Sequence, residues 1–148
     1  GMEFHILGAC EEDYSQRINE LVDAGVVIYH GKQKDVRPFI TEAHCLIHPS
    51  FYPEGMSNVI LESAAAGRPV ITTRRPGCQE AVDDGISGFL ITPQDTEDLI
   101  KATERFVALS HEAKKEMGIA GRKKMEREFD RNIVVKEYLD AIRVILNK

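Results

Sequence analysis

Residues 50–73, SFYPEGMSNVILESAAAGRPVITT, constrain the fold more than any other stretch of this sequence. They follow a short apolar strand, and two prolines in the loop prevent a helix from starting early. A serine and an asparagine can each cap a helix over residues 57–66, and Gly67 in the C′ position ends that helix. The β-branched run at residues 70–73 then returns as a strand. The stretch therefore predicts a strand, loop, helix, strand unit.

The same alternation extends on both sides of this unit and predicts an α/β fold. Strands that alternate with helices form a Rossmann-like open parallel sheet with helices on both faces. After residue 94 the pattern becomes wholly helical, and we assign these helices to packing. We predict a single domain over residues 1–148, with a βα core at 1–93 and C-terminal helices at 94–148. The predicted strands are 4–7, 26–29, 45–48, 70–73 and 89–91, and the predicted helices are 12–23, 36–43, 57–66, 79–83, 96–109, 112–128 and 131–147.

Composition excludes several classes of protein. The 148 residues, 43% hydrophobic and 29% charged, suffice for one globular core. The formal net charge of −5 argues against binding of nucleic acid or an anionic membrane through overall charge. Cys10, Cys45 and Cys78 are widely spaced, which is typical of reduced thiols rather than of a disulfide framework. No membrane-length apolar run or basic leader is present, so we predict a cytoplasmic protein.

Two carboxylates make the central unit chemically informative. Glu54 lies in the loop and Glu62 lies eight positions later inside the helix. The helix is almost wholly apolar, so we expect it to be buried, and a buried carboxylate needs a hydrogen-bond partner such as a ligand hydroxyl. Glu54 precedes the helix N-terminus, where N–H groups and the dipole favour an anion such as a diphosphate. The alternative is that Glu54 is a first-turn acid and Glu62 is solvated.

These residues resemble those of a known family. The pattern Glu54-x7-Glu62 within PSFYPEGMSNVILESAAAGRPVITT, followed by GCQEAVDDGISGFLI, resembles the C-terminal donor-binding half of family 4 (group 1) retaining glycosyltransferases of the GT-B type. The resemblance covers nearly the whole chain. It implies transfer of a sugar from a nucleotide-diphosphate sugar, with UDP-sugars favoured, to a hydroxyl of a glycan or lipid-linked saccharide. The process would be polysaccharide or glycoconjugate synthesis.

The resemblance also implies roles for individual residues. Glu54 would bind the donor sugar and favour its transition state as the catalytic residue, and Glu62 would bind the ribose hydroxyls. The backbone at Gly55, Met56 and Ser57 would approach the sugar and distal phosphate, with Val59 packed beside the ribose. Glu80 occupies the glutamate of the family's G-x-x-E segment, although from its sequence context it is an ordinary helix acid.

Two further loops are candidates for ligand contact. Gly31 and Lys32, in the loop at residues 31–34, are candidates for the base edge, although lysines in loops are more often solvated. Arg74 and Arg75 could contact phosphates or an acidic acceptor, or could form a solvent-facing basic turn. His48 ends a strand at the same edge, and we assign it a structural role.

We predict no metal and no cofactor. There is no D-x-D motif, and His44 and His48 flank a strand in which four residues span roughly 13 Å, too far to share one ion. The family is similar in using protein cations to stabilise the departing diphosphate. Its full-length members carry a further βα unit with these cations, and an N-terminal acceptor-binding domain. The resemblance thus implies a truncated GT-B half that lacks its first βα unit and is inactive alone.

The resemblance places the full-length enzyme at the inner face of the membrane, with any peripheral membrane association made through the absent half. Two alternatives belong to other classes. One is a non-catalytic module that binds or assembles around a nucleotide sugar. The other is another GT-B activity, such as nucleotide-sugar epimerisation, which would need acid and base residues from outside this chain.

Overall fold

The computed structural model describes residues 2–10, 14–52 and 55–146. They divide into two compact units, Gly1–Pro38 and Phe39–Lys148, each of which is described by itself. The strands are β1 (His5–Ile6), β2 (Ile28–Tyr29), β3 (Leu46–His48), β4 (Val70–Thr73) and β5 (Gly88–Ile91), and the helices are α1 (Ser15–Asp23), α2 (Arg37–Glu42), α3 (Asn58–Ala65), α4 (Thr96–Ala108), α5 (His111–Glu128) and α6 (Arg131–Leu146), with a short 3-10 helix at Gln79–Ala81.

The first unit holds a two-stranded parallel ladder of β1 and β2, joined by α1. Gly25 ends the helix in the left-handed region, with φ +67°, as a glycine in the C′ position does. Both strands have two residues where the sequence predicted four.

The second unit is built on a three-stranded parallel sheet in the order β3, β4, β5. Leu46 pairs with Val70 and Val70 pairs with Gly88, so the carboxyl ends of all three strands lie at one edge. The central strand, β4, is buried along its whole length. Gly88 is required here because a Cβ at this position would lie 1.9 Å from the Val70 carbonyl oxygen. The prediction of β4 at residues 70–73 is confirmed residue for residue.

Helices cover both faces of this sheet, because successive strand residues point to opposite sides. Val70 faces the cluster that contains Ile60 and Ala64 of α3 and Met125 of α5. Ile71 faces the other cluster, formed by three apolar side chains of the sheet and three from helices α4 and α5. Its buried members are Ile71, Phe89, Ile91, Ala102, Phe106 and Met117.

The three C-terminal helices differ in burial. Asp95 caps α4 by accepting from the Asp98 N–H, and Ser110 caps α5 by accepting from the Ala113 N–H. Both helices bury residues, whereas α6 buries none, so the predicted packing role of α6 stays a prediction. Within the described part of the chain, no helix has the length and apolarity needed to cross a membrane.

Candidate functional site

The candidate site lies at the carboxyl edge of the sheet in the second unit, where β3 leads into α3. Thr72 donates from Oγ1 to the His48 carbonyl oxygen at 2.8 Å, and Thr73 donates to that of Ser50 at 2.5 Å. The hydroxyl groups of β4 therefore fix the start of the loop that follows β3. Pro53 and Glu54, later in this loop, lie outside the described residues, so the predicted catalytic role of Glu54 remains a prediction.

Gly55, Met56 and Ser57 lead directly into α3 and differ in exposure. Gly55 and Met56 are exposed, whereas Ser57 is buried in the N-cap position. The Ser57 side chain makes no capping bond. Its Oγ instead lies 3.4 Å from His48 Nε2, so the expected capping role is not what this serine does. The turn is thus tied to the end of β3 through a side-chain contact.

The N-terminus of α3 is open to a ligand. The backbone N–H groups of residues 58–60 make no hydrogen bond to a described residue, while the Leu61 N–H bonds to the Ser57 carbonyl oxygen. Unpaired N–H groups in the first turn carry the positive end of the helix dipole. This end of α3 can accept a phosphate without any side chain.

Glu62 is exposed, contrary to the expectation of a buried carboxylate. Ile60, Ser63 and Ala64 form the buried side of α3, and Val59 is partly buried. Glu62 therefore lies on the side of α3 opposite to these buried residues. The apolar composition of the helix does not reveal that one side is buried and the other is exposed. No hydrogen bond or ion pair joins its side chain to another described residue, so the carboxylate is available to a ligand.

The loop after β4 braces the same turn. Gly77, with φ +89°, accepts from the Ser57 N–H at 3.0 Å and donates its own N–H to Glu80 Oε2 at 2.8 Å. Cys78 and Ala81, on either side of Glu80, are fully buried and anchor the loop in the core. Sequence reasoning missed this arrangement, and the G-x-x-E spacing was the signal that could have revealed it. Glu80 is therefore not an ordinary helix acid.

Arg74 and Arg75 have different environments. Arg74 donates to Asp84 Oδ2 at 2.6 Å, so this arginine is committed to an ion pair. Burial acts to raise the pKa of Asp84, but the bonds from the Leu90 N–H and from Arg74 outweigh burial and lower it. The Arg75 side chain is partly buried, and its Nε makes no hydrogen bond to a described residue. A solvent-facing basic turn therefore fits Arg74 better than Arg75, and contact of either arginine with a phosphate or an acceptor remains a prediction.

Asp83, the last residue of the helix predicted at 79–83, also differs from the expectation. It lies beyond the 3-10 helix and accepts from the Lys124 ammonium at 2.5 Å. Lys124 is buried in α5 and has Glu128 at 3.7 Å as a second partner. This ion pair ties the turn after the 3-10 helix to α5.

Gly31 and Lys32 belong to the first unit, which is described by itself. Gly31 has φ +63°, and its carbonyl oxygen accepts from the Gly8 N–H at 3.0 Å, which ties the loop after β2 to the loop after β1. Lys32 is exposed. His5 Nδ1 and His30 Nε2 lie 3.0 Å apart, with the two rings stacked. The role of Gly31 and Lys32 at a nucleotide base remains a prediction.

The described residues do not meet the requirements of a three-ligand metal site. Among residues 2–10, 14–52 and 55–146, no group of three histidine, cysteine or acidic side chains is arranged to hold an ion. Burial raises the pKa of the Cys45 thiol to about 12, so this thiol is protonated near neutral pH.

Comparison with known proteins identifies the fold and the family. Residues 1–108 match the model of the family described as Glycosyl transferases group 1. The chain is 31% identical over 144 residues to the lipopolysaccharide core biosynthesis glycosyltransferase LpsE of Rhizobium meliloti, covering 96% of this chain and 42% of that relative. It is 27% identical to the N,N'-diacetylbacillosaminyl-diphospho-undecaprenol alpha-1,3-N-acetylgalactosaminyltransferase of Campylobacter jejuni, covering 97% of this chain and 38% of the relative.

A solved structure supports the same fold. Anabaena Alr3699/HepE in complex with UDP superposes with a TM-score of 0.86 at 21% identity, covering 97% of this chain and 41% of that one. The same protein is also known in complex with UDP-glucose. The present chain thus spans well under half the length of the proteins it resembles. With its parallel sheets, its flanking helices and a family match over residues 1–108, this chain belongs to the group 1 glycosyltransferases.

Proposed function

We propose that this chain is the donor-binding part of a retaining glycosyltransferase. The whole protein would move a sugar from a nucleotide-diphosphate sugar to a hydroxyl of a glycan or lipid-linked saccharide, in polysaccharide or glycoconjugate synthesis. Because the chain spans 42% of LpsE and 38% of the Campylobacter relative, we assign nucleotide-sugar binding to this chain and transfer to the whole protein. We expect no transfer by these 148 residues alone.

One observation carries the proposal. The first turn of α3 presents N–H groups that bond to no described residue at the carboxyl edge of a parallel sheet. Glu62, which is exposed and pairs with no described residue, follows one turn later on the same helix. Ligands of open parallel sheets bind at this edge. A nucleoside diphosphate carries an anionic diphosphate next to a ribose with two hydroxyl groups. The helix N-terminus suits the diphosphate, and the Glu62 carboxylate suits the two hydroxyl groups.

The chemistry assigned to each group follows from its position. The N–H groups of residues 58–60 would bind a phosphate oxygen of the donor, with the exposed backbone of Gly55 and Met56 beside the sugar. Glu62 would accept from the ribose hydroxyls, with Val59 packed against the ribose. In this proposal Glu54 orients the sugar, and protein cations and the helix dipole, rather than a metal ion, stabilise the departing diphosphate.

UDP is the nucleotide that we expect. HepE, which shares the fold, has been solved with UDP and with UDP-glucose. The relatives act in lipopolysaccharide core synthesis and on an undecaprenol-linked diphosphate saccharide. These names support a glycan or lipid-linked acceptor for the whole protein, and they support a location at a membrane surface during transfer.

Calorimetric titration of the chain with UDP, GDP, ADP and their glucose conjugates tests the proposal. We expect UDP to bind, and Glu62→Ala to weaken it about tenfold or more, since a hydrogen bond to a charged group contributes about 1.5–3 kcal/mol. Glu104→Ala is the matched control, because Glu104 is an exposed glutamate within α4. Equal affinity in the two variants would contradict the role of Glu62, and failure of every nucleotide to bind would contradict the assignment of donor binding to this chain.

A further inference from the structure

Among the residues that the structure describes, Glu80 makes a side-chain contact to the loop backbone that holds the turn at residues 55–57. Its Oε2 accepts from the Gly77 N–H at 2.8 Å, and the Gly77 carbonyl oxygen accepts from the Ser57 N–H at 3.0 Å. Both the N–H and the carbonyl oxygen of Gly77 are therefore hydrogen-bonded. With φ +89° it occupies a backbone region that any other residue would adopt only under strain.

A carboxylate suits this position for a physical reason. Glu80 lies in the first turn of the 3-10 helix and reaches back three residues, as the acid of a capping box does. A hydrogen bond from an N–H to a carboxylate is shorter and stronger than one between neutral groups. Because Glu80 is exposed, the bond adds little to the global stability of the fold, so its effect is confined to the orientation of the Gly77 peptide.

The orientation of Gly77 determines which N–H groups of α3 remain free. The Ser57 N–H is directed to Gly77, while those of residues 58–60 bond to no described residue. If Gly77 rotates, Ser57 loses its acceptor, and the buried serine at the N-cap shifts the first turn of the helix. We call the chain of bonds from Glu80 through Gly77 to Ser57 the backbone relay. Its two ends are anchored by Ile60, Cys78 and Ala81, which share one buried cluster.

We propose that Glu80 is a positioning residue for donor binding. Through Gly77 and Ser57 it sets the backbone at the N-terminus of α3, so that the N–H groups of residues 58–60 point at a phosphate of the donor. The effect on the nucleotide rests on the proposed function, whereas the backbone relay itself does not. This assigns a task to the G-x-x-E segment, which the donor-binding proposal leaves without one.

Two variants test the relay in the 148-residue chain. Glu80→Ala removes the acceptor, whereas Glu80→Gln keeps an oxygen that can accept from Gly77. Amide hydrogen exchange measured by NMR should show the Ser57 N–H exchanging about tenfold faster in Glu80→Ala, as expected for a local opening that loses roughly 1.4 kcal/mol of protection. In Glu80→Gln the Ser57 rate should stay within about threefold of the parent rate. The exchange rate of the Ile71 N–H, in the buried strand β4, should be unchanged in both variants if the fold is intact.

Calorimetry with UDP supplies the second measurement on the same samples. We expect Glu80→Ala to weaken UDP binding about five- to tenfold, with Glu80→Gln close to the parent protein. Glu97→Ala is the matched control, because Glu97 is also an exposed first-turn acid, in α4. It should change neither the Ser57 exchange rate nor the affinity.

The outcomes separate this proposal from the proposed function. Unchanged exchange at Ser57 in Glu80→Ala would overturn the relay, whether or not a nucleotide binds. Faster exchange with unchanged UDP affinity would overturn the positioning role. If the parent chain binds no nucleotide, donor binding by this chain fails, while the exchange measurement still decides whether Glu80 holds Ser57 through Gly77.

Discussion

Helices α5 and α6 follow each other in the chain, yet the more charged helix is the more deeply buried and the more apolar helix is the more exposed. Helix α5 is strongly charged, but it buries five residues, among them Gly118, Gly121 and Lys124. Helix α6 is far more apolar, but it buries none. Eight of its ten apolar residues gather on one side over an arc of about 160°, at 3.6 residues per turn, while Ile133 and Val144 lie outside this arc. The eight are residues 134, 135, 138, 139, 141, 142, 145 and 146.

The difference shows that burial depends on the neighbour as well as on the helix. Helix α5 meets α3 and the segment before β4 closely, because a Cβ on Gly118 would lie 2.1 Å from the Gly67 carbonyl oxygen. The absence of side chains is what allows the two backbones to approach. Helix α6 has the wide apolar face that packs onto a core. Nine of its large apolar side chains nevertheless remain between 41% and 78% exposed.

The largest effect should come from closing the approach of α5. Gly118→Ala places a methyl group against the Gly67 backbone, which cannot yield as a flexible side chain would. We expect a loss of about 3 kcal/mol in the free energy of unfolding, at the upper end of overpacking costs. Urea denaturation followed by circular dichroism measures it.

Gly121→Ala is the matched control on the same helix. The three atoms nearest to its Cβ would be those of the Ser87 and Ala64 side chains and a backbone oxygen, at 3.6 Å or more, which is ordinary contact. Alanine is also favoured over glycine within a helix, so we expect stabilisation of about 0.5 kcal/mol. Equal losses in both variants would mean that α5 does not approach Gly67 in solution as closely as described.

A smaller effect should come from the buried charge of α5. Asp83→Ala leaves the Lys124 ammonium buried with only the more distant Glu128 as partner. Breaking a fully buried ion pair costs about 3–5 kcal/mol, and because the Asp83 side chain is 41% exposed we expect about 2 kcal/mol. Urea denaturation again provides the measurement.

The double variant Asp83→Ala with Lys124→Met tests the physical cause. It removes the stranded charge and keeps the volume of the lysine stem, so it should recover most of the lost stability. If it is as unstable as Asp83→Ala alone, the loss stems from the altered turn at Asp83 rather than from an unpaired charge.

The sequence predicted local structure well where the pattern is local. The β-branched run of β4, Gly67 at the end of α3 and the start of α4 at residue 96 all depend on adjacent residues, and all were found at or near the predicted positions. The strands β1 and β2 are shorter than predicted because a ladder needs a partner at each residue, and strand pairing is not a local property. Periodicity alone cannot supply that information.

Long-range contacts explain what sequence reasoning missed at the candidate site. Glu62 was expected to be buried because its neighbours are apolar, but the buried side of α3 is fixed by α5, more than fifty residues later. Lys124 is buried because Asp83, forty-one positions away, pairs with it. Glu80 was taken as an ordinary acid because its bond to Gly77 is visible only when the backbone of the loop is known.

The smallest effect should come from α6. Ile142→Asp places a charge on a side chain that is already 48% exposed, so we expect the free energy of unfolding to change by no more than about 0.5 kcal/mol. Met117→Asp, the matched change at a buried position of α5, should cost about 2–3 kcal/mol, because it places an unpaired polar group in the core. Urea denaturation at low and high protein concentration measures both. A concentration-dependent loss in Ile142→Asp as large as that of Met117→Asp would show that a second copy covers α6 in solution, and the contrast between the two helices would then belong to the single chain only.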